Sequence, residues 1–237
     1  MPPASVPIDV NFSHPLAPLS LYLPGRGTID FCGYGPRLVY DSGATVNVEG
    51  LGPSFRSTAS NGRVYADIVP TRWRLASTVS AFWWGRVRGN PGNDSQLICT
   101  NYNNTLTSPY VGWGFGNNLT HSTGNKLSLY WNAGGSFNFL GTSQDYTGVV
   151  STAAGTFNTA GNMVLYADGV SVGSTAWSGG APTWGTTPAF NLCGDSNVTS
   201  RYANTDTYAA LIYDRELSAA EIARLHMAPL QFLIPGG

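Results

Sequence analysis

Three glutamates (Glu49, Glu216, Glu221) and three histidines (His14, His121, His226) are the residues from which catalysis would first have to be built. A glycosidase needs two carboxyl groups about 5–10 Å apart, which a strand supplies by acids at alternate positions. No strand-like run here carries such a pair. Asp214-Arg215-Glu216 has the spacing but reads as a polar turn. Glu221 is claimed by a helix cap, and Glu49 precedes a Gly-Leu-Gly loop. The histidines are isolated, so neither a Ser/His/Asp arrangement nor a zinc site assembles from local spacing. His14 reads as a local contact before Pro15. Gly112-Trp-Gly-Phe-Gly116 has the glycines of a phosphate loop but no helix after it, so a glycine-eased strand or turn is expected. The chain is expected not to be an enzyme. Flat aromatic faces are the chemistry that remains. Trp113, Trp131, Trp177 and Trp184 could stack on sugar rings wherever core or interface does not claim them.

Composition limits what can position these groups. Charged residues make up 11% of the chain, against a usual share of about 25%. Gly, Ser, Thr and Asn fill the gap, which argues for many short strands and against long helices. A formal charge of −1 gives no basic field to hold nucleic acid. So few charges protect a free monomer poorly against association, which points to a surface covered by partners. Cys32, Cys99 and Cys193 form an odd set without paired spacing and read as small buried hydrophobes. Prolines punctuate the start, so neither a secretory signal nor a membrane span is expected.

Strand-like runs follow at Thr28–Phe31, Arg37–Tyr40, Thr45–Val48 and Arg63–Ile68. Thr78–Arg88 alternates best. Val79, Ala81, Trp83, Gly85 and Val87 share one face, with Ser80, Phe82, Trp84 and Arg86 on the other. Ser95–Thr100, Tyr110–Phe115, Lys126–Trp131, Val149–Phe157 and a strand at Phe190 come next. Met163–Ala167 and Val170–Val172 flank Asp168-Gly169, a pair suited to the two positive φ angles of a type I′ hairpin turn. Tyr208–Tyr213 reads as a buried strand. Ser218 and Glu221 then form a capping box for a short helix with Leu217, Ile222 and Leu225 on its apolar stripe.

The order Leu165-Tyr-Ala-Asp-Gly-Val170, Leu192-Cys-Gly194, Ile212-Tyr-Asp-Arg-Glu-Leu-Ser-Ala-Ala-Glu-Ile222 resembles the C-terminal half of laminin G-like, concanavalin A-like jelly-roll domains. Ile8-Asp-Val-Asn-Phe-Ser-His-Pro-Leu-Ala17 resembles the opening of such proteins in tailed-phage virions. The resemblance implies an all-β fold: a two-sheet antiparallel jelly-roll sandwich with one short C-terminal helix. Members of this family sometimes hold calcium, for which Asp195, Asn197 and Asp206, with Asn204, offer hard oxygens in this sequence. No other cofactor is expected.

Three regions result: a proline-rich arm over 1–24, a jelly roll over 25–227 and an apolar tail over 228–237. Arm and tail present Pro15, Leu16, Leu19, Leu21, Leu230, Phe232, Leu233 and Ile234 as partner-binding residues. The first functional expectation is a capsid decoration protein on the exterior of a phage virion. It would bind the major capsid protein or other virion proteins, and sister copies as a homo-oligomer, without nucleic acid or membrane. The alternative is a carbohydrate-binding adhesin or secreted glycan-binding module.

Overall fold

Thr78 to Val87 turns one apolar and one mixed face to its surroundings, and the protein builds a layer on each. A computed structural model describes residues 8–24, 30–40, 44–49, 52–58, 62–89, 95–100, 112–117, 126–133, 136–177, 179–184, 189–194 and 203–235. In chain order the strands are β1 (Ile8–Val10), β2 (Ser20–Tyr22), β3 (Val39–Tyr40), β4 (Thr45–Glu49), β5 (Gly52–Arg56) and β6 (Val64–Ala66). Helix α1 (Thr71–Leu75) leads into β7 (Thr78–Val87), β8 (Ser95–Thr100), β9 (Trp113–Asn117), β10 (Lys126–Ala133) and β11 (Ser136–Asp145). Then come β12 (Val150–Asn158), β13 (Asn162–Ala167), β14 (Val170–Ala176), β15 (Phe190–Leu192), β16 (Thr205–Tyr213), α2 (Ala219–Met227) and β17 (Leu233–Pro235).

Two antiparallel sheets stack. One has the order β11-β10-β9-β8-β15-β6-β3; the other runs β14-β13-β12-β7-β16-β5-β4, with β2 also on β16. Val79, Ala81, Trp83 and Val87 of β7 enter the core between them, facing Leu129, Trp131, Phe190 and Leu192. Phe157 anchors it, with its ring centroid 5.5 Å from that of Trp113 and 5.9 Å from that of Trp131. Gly85 is required here, because the Trp83 indole lies where a side chain would stand. The expected sandwich is therefore the observed one, and the Asp168-Gly169 turn has the two positive φ angles, 47° and 79°. A second short helix, α1, was not expected; five residues are too few to show helical periodicity.

The other face of β7 meets a second cluster, in which Phe82, Leu211 and Tyr213 are covered by Val10, Leu16 and Leu21, by Leu217, Ile222 and Leu225 of the α2 region, and by Phe232. β1 pairs with β17, Ile8 opposite Pro235. The Tyr213 hydroxyl donates to Leu16 O at 3.0 Å. This corrects the expected use of the chain's two end segments. Leu16, Leu19, Leu21 and Phe232 are buried in the protein's own core, and Leu230 and Leu233 pack on the second cluster. Of the proposed docking residues only Pro15 and Ile234 are exposed. Apolar side chains buried internally cannot also grip a neighbour.

The capping box forms as expected. Glu221 N donates to Ser218 Oγ at 3.3 Å, and Ser218 N donates to Glu221 Oε2 at 2.8 Å. Arg215 Nη2 stands 2.8 Å from Glu221 Oε1. The Arg215 guanidinium, then the Ser218 bonds, hold the Glu221 carboxyl down at about 2. A depressed carboxylate stabilises the fold above its unfolded pKa of 4.5 and loses that contribution as pH falls toward 2. Glu221→Gln is therefore expected to lower the melting temperature at neutral pH and to flatten its acid dependence between these values. Thermal melts across that range check it.

Candidate functional site

One end of the sandwich gathers three tryptophans. Trp131 on β10 is buried between the sheets, and its Nε1 donates to Gly180 O at 3.0 Å. Trp177 packs on it with ring centroids 6.1 Å apart and planes tilted by 44°. The segment that carries Trp177 and Trp184 is laced down by backbone bonds. Trp177 N donates to Gly161 O at 2.8 Å, Gly180 N to Thr159 O at 2.8 Å, and Thr183 N to Asn132 O at 2.7 Å. Gly161 is needed for this closure, since at φ 94° any Cβ would collide with Trp177 O.

Trp177 and Trp184 are half-buried, each with one flank on the core and one toward solvent. Asn138, opposite Trp131 on β11, donates an amide hydrogen to Trp131 O at 2.9 Å. The Trp177 indole N–H has no hydrogen-bond acceptor among the described residues. Half-buried indoles on a segment fixed by backbone bonds make a surface that can stack on a pyranose.

The other candidates separate. Trp113 is fully buried like Trp131, so neither can stack on a ligand; of the expected four, only Trp177 and Trp184 can. Of the strand or turn expected for the glycine-rich run after Gly112, the structure has the strand, β9. His14 Nδ1 accepts from Leu16 N at 3.1 Å, the expected local contact. His226 Nδ1 lies 2.9 Å from Thr152 Oγ1, while His121 falls outside the described residues. Burial pushes the Cys32 thiol up to about 12 and Cys193 up to about 11, so neither is a nucleophile at neutral pH.

Asp195 and Asn197 also lie outside the described residues. Asp206 is unavailable to calcium: it is completely buried, with Arg56 Nε at 2.6 Å and Arg86 Nη2 at 3.0 Å. Two guanidiniums already occupy the oxygens a cation would need. Among the described residues no three His, Cys, Asp or Glu side chains come together as a metal site. Sequence reading missed this arginine–carboxylate row, although Trp84, Arg86 and Arg88 at alternate positions of one strand were a visible signal.

Solved structures share the fold. The binding domain of botulinum neurotoxin serotype D/C VPI 5993 superposes with a TM-score of 0.65 at 16% identity, covering 90% of this chain and 52% of that one. The binding domain of Paraclostridial Mosquitocidal Protein 1 gives the same figures. This chain thus spans about half the length of those binding domains. Domain 4 of AbnA, a GH43 extracellular arabinanase from Geobacillus stearothermophilus solved with arabinotriose, gives 0.63 at 10% identity, covering 92% of this chain and 98% of that one. No curated protein matches. Residues 60–223, well over half of the sequence, match a laminin G-type family, and the chain belongs to the concanavalin A-like lectin/glucanases superfamily.

Proposed function

We propose that this chain is a non-enzymatic carbohydrate-binding module that takes a neutral glycan at the Trp177–Trp184 end. The observation that carries this reading is the half-buried Trp177 indole packed on the buried Trp131, with Trp184 half-buried against the same core. The arabinanase domain, of nearly the same extent and solved with a trisaccharide, supports it. The toxin binding domains, and a further one of botulinum neurotoxin DC solved in complex with SialylT, support it less directly, since this chain spans only about half of each. Capsid decoration relied on arm and tail gripping neighbours, and their apolar side chains are buried internally.

A glycan array on the full chain, with arabinotriose among its probes, tests the proposal. Wild type is expected to bind, and Trp177→Ala and Trp184→Ala each to weaken binding about tenfold by removing a stacking face. Circular dichroism should show both variants folded. A silent array, or undiminished affinity in both variants, defeats the reading. Attachment to emptied capsids by sugar-silent protein would restore capsid decoration.

A further inference from the structure

Arm, helix and tail cover the outer face of the eight-stranded sheet around Leu211 and Tyr213; around Asp206 that face carries arginines instead. Strand pairing sets Thr45, Arg56, Asp206, Arg86 and Val150 side by side across five strands. Asp206 has both oxygens engaged. Arg56 donates from Nε to Oδ1 at 2.6 Å and from Nη2 to Oδ2 at 3.2 Å, and Arg86 Nη2 donates to Oδ2 at 3.0 Å.

Arg88 is placed differently. Its Nε lies 3.9 Å from Asp206 Oδ2, beyond hydrogen-bond reach, and its side chain is 40% exposed. Three guanidiniums thus converge on one carboxylate, in a chain whose overall charge is −1. Trp84 precedes Arg86 and Arg88 at the same two-residue step, so all three share one face at intervals of about 7 Å. The Trp84 ring is half-buried and tilted against Tyr208, centroids 5.2 Å apart.

We infer that this face is a second saccharide site, selective for a carboxylate-bearing sugar, a uronate. Arg88 takes the carboxylate, and Trp84 takes the flank of the pyranose ring. A planar guanidinium fork matches a planar carboxylate through paired N–H bonds, the pairing Asp206 already displays with Arg56. Asp206 is a positioning residue: by holding Arg56 and Arg86 it fixes the guanidinium row beside Arg88. The site goes beyond the neutral-glycan reading and does not depend on Trp177 or Trp184.

Calorimetric titration of the full chain tests it, using oligogalacturonate, a neutral galacto-oligosaccharide of equal length, and dextran sulfate. Oligogalacturonate is expected to bind, with affinity reduced about tenfold or more in Arg88→Ala and recovered only partly in Arg88→Lys, which supplies a charge without the fork. Trp84→Phe should weaken binding less than Arg88→Ala does. Trp177→Ala should leave uronate binding intact, which separates this site's failure from that of the neutral-glycan site. Absence of uronate binding by wild type, undiminished affinity in Arg88→Ala, or equal affinity for dextran sulfate would each overturn the proposal. The last outcome would mean charge attraction without carboxylate recognition. Arg88 is exposed, so a melting temperature equal to wild type is expected and shows that a binding loss is not unfolding.

Discussion

Arg56→Ala is expected to destabilise the fold by about 1–3 kcal/mol, the cost of leaving one buried carboxylate oxygen without its donor while Arg86 keeps the other. Arg56 contacts both oxygens of Asp206, and Asp206 is completely buried. Removing Asp206 is milder, because Arg86 and Arg88 already reach solvent, at 30% and 40% side-chain exposure. The sharper expectation is a sign. The double variant Arg56→Ala/Asp206→Ala should be more stable than Arg56→Ala alone, since the buried carboxylate left with one oxygen unsatisfied has gone. Urea denaturation of wild type, the two single variants and the double variant measures this cycle. A double variant less stable than both singles would show that the row contributes through packing and not through charge.

Phe232→Ala is expected to cost about 3–5 kcal/mol, in the range of buried phenylalanine truncations. In a chain of this size that is a fall in melting temperature of roughly 6–20 °C. Phe232 is fully buried against Leu16, Leu217, Ile222 and Leu225, and its carbonyl accepts from Asn11 N at 2.9 Å. Removing residues 229–237 should cost more and uncover the apolar outer face of the sheet, so aggregation should accompany melting. Differential scanning calorimetry and light scattering check both. An unchanged melting temperature would return the tail to a docking role.

What could be read in advance divides by range along the chain. The best strand, the Asp168-Gly169 hairpin and the Ser218–Glu221 box are each specified by residues within a few positions of one another. The sandwich followed from them and from the family resemblance they carry. The arginine row was hidden because Arg56 and Asp206 are 150 positions apart, and Arg86 and Asp206 120. Pairing of the two end segments is more distant still, so proline content and apolarity spoke for docking when the partner lay in the same chain. The tryptophans show the remaining limit. All four carry the same chemistry, and only the third dimension separates Trp113 and Trp131, inside, from Trp177 and Trp184, at the rim.

The pairing of Ile8 with Pro235 has a consequence for how the protein can be joined to anything else. Residues 8 and 235 lie side by side. Polypeptide fused on either side therefore hangs from a common pivot, and a host protein could carry the whole sandwich on a single surface loop whose ends need not move apart. Pulling the two ends in opposite directions loads that three-residue ladder first, one rung at a time, before tension reaches the stacked sheets.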